Sequence, residues 1–96
     1  DLINGIIKLF FSEEHLPVNI GNPHEISILE FAQTINKLVG NPAGIVIKAA
    51  ERSEGDPQRR QPDIHEAKQL LNWEPVVSLE EGIQSTIPYF KTRLNL

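Results

Sequence analysis

The stretch SILEFAQTINKLVG, residues 27–40, specifies the most clearly defined helix in this sequence. Ser27 followed three residues later by Glu30 is the capping-box pattern, in which each side chain accepts a hydrogen bond from the other residue's backbone N–H. Gly40 suits the left-handed position after a helix, and Pro42 prevents continuation. The apolar residues of this stretch recur at helical spacing: Ile28, Phe31, Ala32, Ile35, Leu38 and Val39.

A first helix is predicted at the start of the chain, within residues 1–14. Asp1 is placed to accept hydrogen bonds from the first free amides. The apolar residues of this helix recur at helical spacing: Leu2, Ile3, Ile6, Ile7 and Phe10.

Two more helices are predicted after residue 62. Asp63 opens the first, with an inner face of Ile64, Ala67, Leu70 and Leu71, and the sequence NWEP ends it. Ser78 and Glu81 form a second capping box ahead of the last helix, whose apolar residues are Leu79, Ile83, Ile87, Phe90 and Leu94.

Pro88 lies inside the last predicted helix. Its ring removes one backbone hydrogen bond and crowds the carbonyl four residues earlier, so a kink is expected there.

Short strands are predicted at residues 18–20 and 44–50, where β-branched residues cluster. The expected fold class is α/β, with the outline α-β-α-β-loop-α-α. Two short strands make only a marginal sheet. The chain also begins at Asp1 rather than at a methionine. Both observations predict that these residues are a piece of a longer protein.

Composition excludes several kinds of function. The formal net charge of −4 disfavours general binding to nucleic acid or to membrane surfaces, which require a basic face. The absence of cysteine excludes disulfides, thiolate metal sites and cysteine nucleophiles. No apolar run approaches the roughly 20 residues of a membrane helix. His15, His24 and His65 lack metal-ligand spacing and are expected on the surface, and Trp73 in the core or at a hinge.

The stretch GDPQRRQPDI, residues 55–64, concentrates the arginines. Three of the four arginines of the chain, Arg52, Arg59 and Arg60, lie in or beside it. One interpretation is a solvated surface with ordinary ion pairs to neighbouring carboxylates, each worth about 0 to 1 kcal/mol. The other is an ordered, proline-stiffened loop that holds an anion, because guanidinium groups bind phosphate and carboxylate bidentately. Chemistry alone leaves both open.

These residues also carry a family resemblance. VNIGNPHEISILEFAQTI and GDPQRRQPDIHEAKQLLNWEPVVSLEEGI are similar to the C-terminal part of extended short-chain dehydrogenase/reductases that act on nucleotide sugars, and most of all to the UDP-glucuronate decarboxylases. Their D-P-x-x-R-x-P-D loop matches Asp56-Pro57, Arg60 and Pro62-Asp63. Their A-K-x-x-L-x-W-E-P helix end matches residues 67–75.

The resemblance implies that residues 1–96 are a C-terminal UDP-sugar-binding region. An N-terminal Rossmann region, absent from this chain, would bind NAD and carry the catalytic Tyr-x-x-x-Lys pair. Arg60 matches the family arginine that reaches the sugar-nucleotide pocket, and Asp56 would support the nucleotide end. Arg59 stands where the family varies and ranks below them. No catalytic residue is expected within these residues: Tyr89 has no lysine four positions later.

The implied reaction is NAD-dependent oxidation of UDP-glucuronate at C4, loss of carbon dioxide and re-reduction to UDP-xylose. There are two alternatives. One is a 4-epimerase or 4,6-dehydratase of the same superfamily, and the other is a non-catalytic interaction module. The implied full-length protein is a homodimer in the cytoplasm, or in the Golgi lumen if a eukaryotic anchor lies outside this chain.

Overall fold

The computed structural model describes residues 1–49 and 59–96. In these two ranges the chain forms four helices: α1 (Leu2–Phe10), α2 (Ile28–Val39), α3 (His65–Leu71) and α4 (Leu79–Leu94). They belong to two compact units. The first unit joins Asp1–Glu25 to Gln58–Val77, and the second joins Ile26–Pro57 to Ser78–Leu96.

The first unit contains the buried apolar core of the described residues. Its members come from α3 and the residues on either side of it: Ile64, Ala67, Leu71 and Trp73. Leu9 from α1 and the segment residues Val18 and Ile20 pack against this cluster. Trp73 is only 3% exposed, which confirms its prediction as a core residue.

Gly5 lets α1 approach this core closely. A Cβ atom at this position would lie 2.8 Å from Ile20 Cγ2 and 3.1 Å from Trp73 Nε1. Side chains do not tolerate the shorter of these distances, so only glycine fits without a shift of Ile20.

Asp1 stabilises this unit in a way that the sequence did not predict. Its carboxylate makes no cap bond to α1. Oδ2 accepts instead from the backbone N–H groups of Val76 and Val77, at 3.2 Å and 2.9 Å. The expectation that Asp1 caps the first helix with its side chain is therefore wrong. Its carboxylate binds backbone amides after α3 instead.

The start of α3 differs slightly from the prediction. Ile64, not Asp63, is the N-cap residue, and it makes no side-chain cap bond. Asp63 Oδ1 still accepts from the backbone N–H of His65, at 3.0 Å. Leu70 is 51% exposed, so it does not belong to the inner face of α3.

The C-terminal end of α3 confirms the expected stop. Asn72 adopts the left-handed conformation there, with φ of 48°. Lys8 Nζ donates to the carbonyl oxygen of Asn72 over 2.7 Å, which places a cation at the negative end of the helix.

The second unit consists of α2 packed on α4 and the segment after α2. Both predicted capping boxes are present. Ser27 Oγ accepts from Glu30 N at 3.1 Å, and Ser78 Oγ accepts from Glu81 N at 3.2 Å. Gly40 follows α2 with φ of 65°, as predicted.

The α/β outline is not confirmed, because residues 1–49 and 59–96 contain no strand. Residues 18–20 and 44–49 were predicted from local β-branched composition, but a strand also requires a neighbouring strand with which to pair. Val18 packs on the core without such a ladder. Val46 and Ile47 are 77% and 79% exposed.

Helix α4 continues through Pro88. The kink predicted at this proline stays a prediction. None of the helices within the described ranges is long and apolar enough to cross a membrane.

Candidate anion-binding site

The candidate site is the end of the arginine loop, residues 59–63, in the first unit. Arg52 and Asp56 were predicted to belong to the same loop, and both lie outside the described residues. Arg59 and Arg60 are described, and both are exposed. The site can therefore be built from the loop end and from the segment that it contacts, residues 21–25.

Arg59 is held by an ion pair. Its Nε lies 3.4 Å from Glu25 Oε1, and the two side chains are 82% and 40% exposed. A pair so accessible to water is worth about 0 to 1 kcal/mol. The surface pair of Arg59 is with Glu25 rather than with a carboxylate within the loop, and its role in substrate binding stays a prediction.

Gln61 supplies the second connection between the loop end and residues 21–25. Its Nε2 donates to the backbone carbonyl oxygen of Pro23 over 2.7 Å. The two residues are 38 positions apart in the chain. This bond therefore fixes a long-range contact and not only the local turn.

Pro62 supplies the third connection, by van der Waals packing. A Cβ atom on Gly21 would lie 3.0 Å from Pro62 Cγ. The absence of a side chain at Gly21 thus lets the proline ring lie against the backbone. The segment is itself ordered locally, since Asn22 Oδ1 accepts from His24 N at 2.9 Å.

Arg60 lies between the two residues whose side chains bind residues 21–25. Its own backbone is therefore held from both sides, through Arg59 and through Gln61. A guanidinium carries a planar set of donors suited to a phosphate or carboxylate oxygen pair. Holding the loop in place in advance lowers the entropic cost of binding an anion.

The three histidines lie at the surface, and His24 belongs to residues 21–25. His15, His24 and His65 are all exposed, as predicted. Residues 1–49 and 59–96 also contain no group of three or more histidine, aspartate or glutamate side chains placed to hold a metal ion.

The glycines of the described ranges do not fit a dinucleotide. A dinucleotide loop places three glycines together at the start of a helix. Here Gly5 and Gly82 lie inside helices, Gly21 packs on Pro62, and Gly40 and Gly44 follow α2. The glycines of the described ranges therefore do not form a dinucleotide-binding loop.

Sequence reasoning missed Glu25, Gln61 and Gly21 as members of this site. Arg59, Arg60 and Pro62 were singled out because residue type and spacing mark them. Their contacts in residues 21–25 depend on folding of the chain between them, and no local pattern indicates those contacts.

Comparison with known proteins identifies close relatives. The chain is 52% identical over 94 residues to UDP-glucuronic acid decarboxylase 1 of Xenopus tropicalis, and 52% identical over 94 residues to the protein of that name from Danio rerio. It is 43% identical over 96 residues to UDP-glucuronic acid decarboxylase 3 of Arabidopsis thaliana. These matches cover 98%, 98% and 100% of the chain. No protein-family model matches it.

The similarity to UDP-glucuronate decarboxylases, inferred from the arginine loop and the W-E-P helix end, is thereby confirmed. The chain spans 22% of the length of the Xenopus and Danio relatives and 28% of the Arabidopsis relative.

Proposed function

We propose that this chain is the UDP-sugar-binding part of an NAD-dependent UDP-glucuronate decarboxylase, and that its arginine loop contacts the anionic part of the substrate. The observation that carries the proposal is the similarity of nearly the whole chain to proteins named UDP-glucuronic acid decarboxylases. The relatives favour a decarboxylase over the 4-epimerase and 4,6-dehydratase alternatives. The contacts of Arg59 and Gln61, on either side of Arg60, with residues 21–25 support a binding role for this loop.

Arg60 offsets negative charge on the pyrophosphate or on the glucuronate carboxylate. Arg59 contributes mainly through its ion pair with Glu25, which helps to hold the loop. Asp56, outside the described residues, accepts a hydrogen bond from a sugar hydroxyl at the nucleotide end. This assignment of roles follows the order in which the three residues match the family loop.

The full-length enzyme supplies the remaining chemistry from residues outside this chain. NAD bound there would supply the oxidation and the later re-reduction at C4 of the sugar. Oxidation at C4 would give a β-keto acid, and loss of its carboxylate as carbon dioxide would leave an enolate that takes a proton at C5. Return of the hydride to C4, with a proton to the C4 oxygen, would then give UDP-xylose. The residues of this chain bind and orient the UDP-sugar.

The apolar face of α1 is proposed to pack against that remaining part of the enzyme. Ile3, Ile7 and Phe10 are 67%, 51% and 78% exposed in the chain alone. A row of this kind on one helix is more than the scattered apolar exposure that is ordinary for a protein surface.

The test is the substitution Arg60→Ala in the full-length protein. Loss of one charge-assisted contact costs about 1.5 to 3 kcal/mol, so UDP-glucuronate affinity or kcat/KM should fall roughly 10- to 150-fold. Arg93→Ala is the matched control, because Arg93 is exposed in the last turn of α4 and far in sequence from the loop. Unchanged kinetics in Arg60→Ala would remove the loop from the substrate site.

A further inference from the structure

We infer that Gln61 is a positioning residue for the proposed anion contact, acting on Arg60 through its hydrogen bond to the Pro23 carbonyl. This inference rests on the proposed function of the loop. It goes further in assigning a role to a side chain that need not touch the substrate.

The residues that attach the loop end to residues 21–25 are different from the residue proposed to bind the anion. Gln61 Nε2 lies 2.7 Å from Pro23 O, which is a short hydrogen bond. The side-chain amide therefore donates to the protein itself rather than to a ligand. Arg59, on the other side of Arg60, is 3.4 Å from Glu25 Oε1. The backbone of Arg60 thus lies between two residues whose side chains contact residues 21–25.

The two attachments differ in strength. The ion pair is widely exposed, so water and salt weaken it. The Gln61 bond involves neutral groups and does not depend on ionic strength. It is also reinforced by the neighbouring contact, in which Pro62 Cγ lies 3.0 Å from the position that a Cβ atom on Gly21 would take. Of these two attachments, the Gln61 bond is therefore the less sensitive to salt.

A displacement of the arginine by even a fraction of an ångström is costly for anion recognition, since bidentate bonds require both donors to meet both oxygens. Loss of the Gln61 donor should accordingly weaken anion binding while leaving the positive charge of the loop unchanged. That distinguishes a positioning role from an electrostatic one.

The experiment measures the affinity of the full-length protein for UDP by titration calorimetry, using Gln61→Met, Arg60→Ala and the double variant. Methionine keeps the length and neutrality of glutamine but cannot donate. Gln61→Met is expected to weaken UDP binding roughly 2- to 12-fold, the range for one neutral hydrogen bond. In the Arg60→Ala background the same substitution should have no further effect, because Gln61 acts through Arg60.

Gln69→Met is the matched control, since Gln69 is an exposed residue of α3. It should bind UDP like the unmodified protein. Gly21→Ala disturbs the same loop end through Pro62, so it should weaken UDP binding as Gln61→Met does. In the Arg60→Ala background it should cause no further loss of affinity.

The outcomes are distinguishable. If Arg60→Ala weakens UDP binding but Gln61→Met does not, the positioning role is wrong and the proposed function stands. If Gln61→Met weakens binding equally with and without Arg60, Gln61 acts independently of Arg60 and the inference is again overturned. If Arg60→Ala itself leaves UDP affinity unchanged, Arg60 does not contact the pyrophosphate, and both the positioning role and that part of the proposed function are wrong.

Discussion

The indole N–H of Trp73 donates a 3.0 Å hydrogen bond to the backbone carbonyl oxygen of Asp1, which lies 72 positions earlier in the chain. The same carbonyl oxygen accepts from the N–H of Gly5 at 3.0 Å, inside the first turn of α1. The start of α1 and the end of α3 are thus joined at one atom. This junction sets the position of the core aromatic and of the chain that follows it.

Replacing Trp73 with phenylalanine should therefore destabilise the protein. Phenylalanine keeps an aromatic ring but loses the N–H donor and leaves a small cavity beside Ile64 and Leu71. The expected loss is about 1 to 3 kcal/mol in the free energy of unfolding. Urea denaturation measures it. Tyr89→Phe also alters an aromatic side chain, but one that is 64% exposed, and should change stability by less than about 0.5 kcal/mol.

Two glycines inside helices should respond to alanine in opposite ways. At Gly5 the new Cβ atom would lie 2.8 Å from Ile20 Cγ2, and overpacking of this kind costs about 1 to 3 kcal/mol. At Gly82 in α4 a Cβ atom meets nothing within 4 Å. Gly82→Ala should stabilise the protein by about 0.5 to 1 kcal/mol, through helix propensity.

The comparison is made by thermal or urea unfolding of the two variants side by side. Equal effects of the same sign at Gly5 and Gly82 would contradict the close approach of α1 to Ile20 and Trp73.

Glu81 should titrate below the ordinary range for a glutamate. Its pKa is lowered first by the hydrogen bond from the backbone N–H of Ser78 and then by the Ser78 hydroxyl. Since the folded-state pKa lies below the unfolded one, the stabilising contribution of the carboxylate is complete above the unfolded pKa. It is lost as pH falls through the folded pKa.

NMR titration of the Glu81 carboxyl carbon tests this directly. In Ser78→Ala the hydroxyl is gone but the backbone donor remains, so the pKa should rise only part of the way to its ordinary value. The variant should also lose about 1 kcal/mol of stability through the lost cap. A Glu81 pKa at or above the ordinary value in the unmodified protein would rule out the capping box in solution.

Arg59 is expected to matter less for the substrate than Arg60. Its guanidinium already pairs with Glu25, and Arg60 holds the position of the arginine in the family loop. Arg59→Ala should reduce UDP-glucuronate affinity by less than Arg60→Ala, and Glu25→Gln should alter stability by no more than about 1 kcal/mol. Competition binding in the full-length protein ranks the variants. A larger loss in Arg59→Ala would exchange the roles assigned to the two arginines.

Sequence patterns predicted the features that depend on a few neighbouring residues. The capping boxes at Ser27 and Ser78 and the left-handed Gly40 each involve backbone groups within four positions, and all are present. The side-chain partners of Asp1 could not be found in this way. Val76 and Val77 are 75 and 76 positions away, and their nearness depends on the packing of α1 and α3.

The predicted strands show the same limit. The composition of residues 44–50 reports suitability for a pleated surface, whereas a strand also requires a second strand with which to pair. In the arginine loop, residue types predicted which groups carry the charge. The hydrogen bond from Gln61 to Pro23 could not be predicted from the sequence, because the two residues are 38 positions apart and meet only in the folded chain.

The most direct test of the account is to supply UDP-glucuronate and NAD to the full-length protein and to identify the products. We expect release of carbon dioxide together with UDP-xylose, and a large reduction of both in Arg60→Ala. Conversion of UDP-glucuronate to its C4 epimer without carbon dioxide, or no turnover at all, would contradict the proposed decarboxylase function.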